Sequence, residues 1–246
     1  MSGTSGFLVT ADNEKISYSH FSGGKDTVII VCHGFYNSKD CDYLVSLNKE
    51  LGRNYDVFSF DLRGHGKSSG VFTMTSREEN DVTAVLDYLK GKYAKVGMVS
   101  FSIGSAIAIN ILSKRDDVQS LVCISPVSDV SKIDYHFWDL DIANDLIYTL
   151  FTAGGKRGRG VRMGPFWLRK ERPSEAVKKL TIPILYVHGS KDWVIRPHHS
   201  RRLYANTKGK KEFVYIENGT HAEYLLKDHY DEMVGLIKDW FVQTIV

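Results

Sequence analysis

The sequence predicts an α/β fold: a mostly parallel central sheet with helices on both faces and a small cap inserted between two late strands. Two observations predict it. Five apolar runs, 27–32, 56–60, 95–101, 119–125 and 182–188, are rich in Val and Ile and do not alternate with polar residues, as strands buried on both faces read. Between them lie segments of helical period, so strand and helix alternate, which is the pattern of parallel strands joined by crossover helices. The chain's 246 residues fit one compact α/β unit.

Taken in order, the runs at 7–11 and 15–21, joined by Asp12-Asn13-Glu14, read as an entering hairpin. The 27–32 strand follows, then a helix carried by Leu44, Leu47 and Leu51. After the 56–60 strand the helical spacing recurs at Val82, Val85, Leu86 and Leu89, and after the 95–101 strand at Ile103, Ile107 and Ile111. The last strand is read at 212–217. A closing helix from about Tyr224 carries Leu226, Tyr230, Met233, Ile237 and Trp240 or Phe241 on one face.

The alternation breaks once. The stretch 127–180 is too long for a crossover and mixes Tyr135, Phe137, Trp138, Tyr148, Phe151, Phe166 and Trp167 with glycines, so it reads as a cap or lid set into a core formed by 1–126 and 181–246. Its aromatic residues are candidates for lining a substrate pocket, Trp138, Phe151, Phe166 and Trp167 above all. The plainer reading is that these rings pack the cap onto the body.

Composition narrows the function. Hydrophobic residues make up 43 % and charged residues 25 %, the balance of a folded globular chain. The first residues hold no basic segment leading into an apolar run, and no stretch is long enough to span a bilayer, which predicts a cytoplasmic protein with no membrane span. Among the three cysteines, Cys32 and Cys123 sit inside apolar runs and read as small buried hydrophobes, not as a disulfide framework. The formal charge is only +3, with no basic stripe beside a nucleic-acid motif. Basic residues cluster locally instead, Lys156, Arg157, Arg159, Arg162, Arg169, Lys170 and Arg172 against Glu171 alone. That run is either a solvated loop or a grip for an anionic group such as the phosphates of an acyl-CoA. Gly66-Lys67-Ser68 ends like a phosphate-binding loop, but Asp61 stands where the first glycine is needed. No paired His or Cys motif suggests a metal, so the expected cofactor set is empty.

The chemistry is carried by Val99-Ser100-Phe101-Ser102-Ile103-Gly104-Ser105, where an apolar strand ends and a helix begins. A serine there sits on a sharp strand-to-helix turn, exposed at the sheet edge, if the residues two before and two after it are small. Gly104 is small, and Ser100 stands where glycine is usual. The pattern resembles the nucleophile turn of the α/β-hydrolase superfamily, serine esterase type, and four other segments support the resemblance. Cys32-His33-Gly34-Phe35 resembles the family's H-G-x loop, which implies an oxyanion hole formed by the backbone N–H groups of Phe35 and Ile103. Asp61-Leu62-Arg63-Gly64-His65-Gly66-Lys67-Ser68 is similar to a turn whose glycines and paired charges brace the loops beneath the site. His188-Gly189-Ser190-Lys191-Asp192 resembles the segment that supplies the acid, and Asn218-Gly219-Thr220-His221 the one that supplies the histidine.

The resemblance therefore implies Ser102 as nucleophile, His221 as base and Asp192 as the carboxylate that orients it, in the family's chain order. A serine hydroxyl is too weak an acid to attack unaided and needs a base that titrates near neutrality, at about 6.5 for histidine. Asp129, after the 119–125 strand, is the rival acid, while His198, His199 and His229 read as surface residues of helices. His33 and His65 are read as orienting loops and His188 as a strand-end structural residue. By length and cap position the chain resembles small capped bacterial esterases, including cinnamoyl (feruloyl) esterases and monoacylglycerol lipase-like enzymes. That implies a small-molecule acyl ester substrate, with an apolar or aromatic portion, cleaved through an acyl-enzyme. A thioesterase or acyltransferase acting on acyl-CoA-like substrates, or a non-catalytic binding protein on the same fold, are the alternatives. Epoxide and haloalkane hydrolysis are disfavoured, since those relatives place an aspartate where Ser102 stands.

Overall fold

The computed structural model describes residues 2–132 and 160–245. Among them eight strands form one sheet: β1 (Ser2–Val9), β2 (Lys15–Ser22), β3 (Thr27–Cys32), β4 (Asp56–Phe60), β5 (Lys95–Phe101), β6 (Ser120–Ile124), β7 (Ile184–Gly189) and β8 (Lys211–Ile216), in the spatial order β1-β2-β4-β3-β5-β6-β7-β8. Strands β3 to β8 run parallel to one another, and the β1–β2 hairpin lies antiparallel at one edge, β2 pairing antiparallel with β4. The predicted α/β architecture is the observed one.

Helices α1 (Asp42–Leu51), α2 (Glu79–Leu89), α3 (Ile103–Leu112), α4 (Pro173–Ala176), α5 (His198–Asn206), α6 (Glu223–Asp228) and α7 (Tyr230–Thr244) cover the sheet. Strand pleating sends alternate side chains to opposite faces. Val28, Ile30 and Cys32 of β3 join one core with Val82, Val85, Ile107, Ile111 and Leu203, from α2, α3 and α5. Ile29 and Val31 join the other core with Leu44, Leu47, Met233, Ile237 and Phe241, from α1 and α7. Each such fully buried aliphatic side chain contributes about 1.5–3 kcal/mol of transfer free energy, so the unbroken apolar runs hold the sheet in place from both sides.

Three elements differ from the sequence expectation. The first strand begins at Ser2 and ends at Val9, five residues earlier at its start than the apolar residues suggest, because the ladder with β2 recruits Gly and Ser residues that carry no hydrophobic signal. The closing helix is split at His229, whose φ of −131° and ψ of 42° leave the helical region, so α6 and α7 are separate. His199 is buried, not on the surface: its Nδ1 lies 2.9 Å from the Ser128 hydroxyl, in the segment that leaves β6.

Arg63 braces the loops below the sheet edge as the Asp61–Ser68 turn suggests. Its guanidinium reaches Asp12 of the first hairpin at 2.6 and 2.9 Å and, through Nε, Asp81 of α2 at 2.8 Å. Cys32, Cys41 and Cys123 are buried and form no disulfide among the described residues. Among the described residues no helix is long and apolar enough to cross a membrane.

Candidate active site

Ser102 stands between β5 and α3 with φ 50° and ψ −117°, a region that a residue with a side chain rarely occupies. Neighbouring backbone holds it there. Its N–H donates to the Ile124 carbonyl at 2.8 Å, and its own carbonyl accepts from Ser105 N–H at 3.1 Å. A Cβ on Gly104 would collide with the His33 carbonyl oxygen, so the first turn of α3 approaches the end of β3 only because this residue is glycine. Ser100, where glycine is usual, is accommodated because its buried hydroxyl lies 3.0 Å from both the Val122 carbonyl and the Ser105 hydroxyl.

Two loops bring the remaining groups to this turn. The N–H of Lys191, in the loop after β7, donates to the Gly219 carbonyl, in the loop after β8, at 2.8 Å. The N–H of Ala222 donates to the Ser125 hydroxyl at the end of β6, at 3.0 Å. Between these ties, His221 presents Nε2 to the Ser102 Oγ at 2.9 Å and Nδ1 to the Asp192 Oδ2 at 2.8 Å. The other Asp192 oxygen accepts the N–H groups of Val194 and Ile195 at 3.0 and 2.9 Å. Ser102, Asp192 and His221 are thus brought together, each nearly removed from solvent. Asp129, the rival acid, instead accepts the Ser131 N–H and hydroxyl at 3.0 and 2.6 Å.

His188 supports Asp192. Its Nε2 donates to the Ile195 carbonyl at 2.7 Å and lies 3.2 Å from Asp192 Oδ2, while its Nδ1 accepts the Ser200 hydroxyl at 2.6 Å. The electrostatics follow from these contacts. Burial opposes the Asp192 charge, but the His221 charge and the hydrogen bonds from both histidines outweigh it and hold the carboxyl well below the usual range. Burial likewise opposes an imidazolium at His221. The Asp192 carboxylate, its hydrogen bond and the charge of Glu223 overcome that penalty, so His221 titrates above the ordinary value of 6.5. The sequence alone places it at the ordinary value, because neither its burial nor Glu223 is visible there.

Phe35 and Ile103 flank Ser102. Ile103 is the first residue of α3, where backbone N–H groups have no partner within the helix. A Cβ on Gly34 would lie 3.2 Å from the Ser102 Cβ, so the His33–Phe35 backbone abuts the serine. His33 fixes that backbone. Its Nε2 accepts the Leu62 N–H at 3.0 Å, so Nδ1 carries the hydrogen and donates it to the Gly34 carbonyl at 2.6 Å. In a trans peptide the Phe35 N–H points away from the carbonyl held by His33. His33 therefore orients a loop, as does His65, whose Nδ1 donates to the Arg63 carbonyl at 3.0 Å.

Of the candidate pocket residues, Trp138 and Phe151 lie outside the described residues, as do Lys156, Arg157 and Arg159. Phe166 and Trp167 are 60 % and 75 % exposed and meet each other edge to face at 5.4 Å. The segment before them is bridged to the loops after β4, Val161 to His65 and Met163 to Phe72, and not to Ser102. Arg162 is engaged by the carbonyls of Ser68 and Gly70. Among the described residues no three His, Cys, Asp or Glu side chains are grouped to hold a metal ion.

One group is absent from the sequence reading. Glu223, two residues beyond His221, is buried, and its Oε1 accepts the Asn37 side-chain amide at 2.5 Å. An acidic residue in the first turn of a helix looks ordinary in sequence, which hides it.

The family model described as alpha/beta hydrolase fold matches residues 27–175. The chain belongs to the α/β-hydrolase fold family. Among curated relatives of this α/β hydrolase, the Bacillus subtilis protein YqkD is 25% identical over 217 residues, 82% of this chain and 67% of its own. The bifunctional esterase/perhydrolase DCH of Acinetobacter calcoaceticus is 25% identical over 260 residues, 89% of this chain and 91% of its own. Among solved structures, the esterase Pf2001 of Pyrococcus furiosus superposes with a TM-score of 0.81 at 20% identity, covering 100% of this chain and 92% of that one. The Rhodococcus esterase RhEst1 follows at 0.79 and 18% identity, covering 98% and 99%. At these identities the likeness is one of fold.

Proposed function

We propose that this α/β hydrolase cleaves carboxylic esters through an acyl-enzyme on Ser102. The observation that carries the reading is the unbroken hydrogen-bond chain from the Ser102 hydroxyl through His221 to Asp192, at 2.9 and 2.8 Å. His221 Nε2 takes the hydroxyl proton as Oγ attacks the ester carbonyl, and Asp192 stabilises the imidazolium. The oxygen of the tetrahedral intermediate accepts the N–H groups of Phe35 and Ile103, each worth about 2.7–4 kcal/mol of barrier in comparable sites. Collapse of the intermediate breaks the ester C–O bond, and the leaving alkoxide takes the proton from His221. Water then attacks the acyl group with the same base, releasing the acid and restoring the serine.

Esterases among the structural neighbours, and the esterase activity named for the Acinetobacter relative, agree with this class. We assign residues 127–180 to a cap over the site and the rest to the core. Support comes from the cap's returning end, where the Gly160 N–H donates to the Tyr36 carbonyl at 3.1 Å, one residue beyond the proposed oxyanion donor. An ester with an apolar or aromatic portion is the substrate class favoured, since the half-buried Phe35 and Tyr36 rings meet at 4.3 Å beside the proposed oxyanion donor.

The test is turnover of a panel of p-nitrophenyl, aryl and thioester substrates, with intact-mass detection of the acyl adduct. The reading predicts an initial burst of p-nitrophenol and a serine-bound acyl group, with oxygen esters preferred. Hydrolysis of no ester above background, or equal turnover by wild type and Ser102→Ala, would overturn it.

A further inference from the structure

Three side chains beside the site form a second hydrogen-bonded line, running from α6 to α1 beneath the loop after β3. The Asn37 amide NH2 donates one hydrogen to Glu223 Oε1 at 2.5 Å and the other to the Phe35 carbonyl at 3.1 Å. Its Oδ1 accepts the hydroxyl of Tyr43, near the start of α1. Every group of the Asn37 side chain is therefore committed, and its orientation is set by its partners. The carboxylate also abuts the loop itself: a Cβ on Gly34 would lie 2.5 Å from Glu223 Oε1 and 3.2 Å from the Ser102 Cβ.

A carboxylate that merely favoured the N-terminus of α6 could do so from the surface, where it would keep its hydration. Glu223 is instead buried and turned towards the loop, at the desolvation cost that burial imposes on a charge. The loop it meets leads directly to the proposed oxyanion donor.

We propose that Glu223 is a positioning residue for the reaction: through Asn37 it holds the Gly34–Phe35 backbone against Ser102. The inference rests on the reading of Ser102, His221 and the Phe35 N–H as the reacting groups. His33 holds the same backbone at the Gly34 carbonyl, and Asn37 holds it one peptide further on, at the Phe35 carbonyl. Losing either hold lets the N–H swing from the oxyanion, which costs rate more than substrate binding. The groups that face His221 are Asp192 at Nδ1, Ser102 at Nε2 and His188 through the shared Asp192 carboxylate, with the charge of Glu223 acting on it as well; Glu223 itself meets the Asn37 amide, and its charge also acts on Cys41. Of these, Asp192 and Glu223 favour the imidazolium, so removing the Glu223 charge moves the His221 titration down.

The experiment compares wild type with Glu223→Gln, Glu223→Ala and Asn37→Ala, recording kcat and KM for p-nitrophenyl acetate and the rate of fluorophosphonate inactivation against pH, with thermal melts as a check on folding. Glutamine keeps the carbonyl that accepts the Asn37 amide but loses the charge. Glu223→Gln is expected to move the acid-limb midpoint down with kcat within about threefold of wild type. Glu223→Ala is expected to add a loss of about tenfold in kcat at little-changed KM. Asn37→Ala is expected to show that kcat loss without the downward shift, since the charge remains. If Glu223→Ala does not fold, the other two variants still decide. Folded variants with the wild-type midpoint and wild-type kcat would overturn the inference while Ser102 labelling in wild type leaves the parent reading standing. Failure of the probe to label wild type would remove both.

Discussion

The Nε2 of His221 lies 2.9 Å from the Oγ of Ser102, although 119 positions of sequence separate the two residues. Nothing local enforces that meeting. It depends on β5 placing Ser102 at the sheet edge, and on the ties between the loops after β7 and β8 and the end of β6. Because Asp192 occupies the other ring nitrogen, Nε2 is the position left to receive a proton.

That arrangement sets a pH dependence. The base works only when neutral, so kcat/KM rises with pH as His221 loses its proton. Its folded-state titration lies above the ordinary 6.5, driven by Asp192 and Glu223 against the opposing effect of burial. The acid limb is therefore expected to have its midpoint above 6.5, measured as kcat/KM for a p-nitrophenyl ester from acid to alkaline pH. A midpoint below 6.5, or a flat profile with chemistry rate-limiting, would contradict the assignment of the base.

Exchange of the two candidate acids separates them. Asp192→Asn retains the shape but loses the charge and the preferred tautomer of His221, and a fall of about 10⁴-fold in kcat is expected by comparison with other triads. Asp129→Asn is expected to stay within about threefold of wild type, because its described contacts go to Ser131 and Arg172 and not to the His221 imidazole. Steady-state kinetics on both variants check this, and the reverse ranking would move the acid to Asp129.

Gly104→Ala tests the close approach of α3 to β3. The added methyl meets a backbone carbonyl, His33 O, which cannot turn aside as a side chain could. A destabilisation of about 1–3 kcal/mol or more is expected from urea unfolding, with activity falling because the displaced segment begins next to Ser102. Unchanged stability would mean that the two segments stand further apart than described.

Arg63→Ala tests the brace below the sheet. It leaves Asp81, whose side chain is fully buried, without its guanidinium partner, a loss of about 3–5 kcal/mol in comparable buried pairs. Denaturant unfolding is the measurement. A cost under about 1 kcal/mol would reduce the pair to an incidental contact.

Much of this was legible in the residues themselves, and the exceptions share a cause. Unbroken Val and Ile runs announce β3 to β7 because each of those strands is buried on both faces. The turn at Ser102 is readable since only small flanking residues allow it, and the loops ending at Asp192 and His221 are readable by resemblance. What escaped notice depends on partners distant in the chain. Ser2 to Gly6 pair with β2 without any apolar pattern of their own. His199 is drawn inward by Ser128, 71 residues away. Glu223 passes for an ordinary first-turn acid until Asn37, 186 residues before it, is found at its oxygen. Of the aromatic residues that suggest an insertion at 127–180, Phe166 and Trp167 are exposed, which ring content in the sequence does not reveal.

Whether Ser102 is a nucleophile activated by His221 is tested by labelling of the native protein with a fluorophosphonate and mass-spectrometric mapping of the adduct. One adduct is expected, on Ser102, formed faster as pH rises, and abolished by Ser102→Ala or His221→Ala. An unlabelled wild-type protein that is folded, or equal labelling of the Ser102→Ala variant, would contradict it.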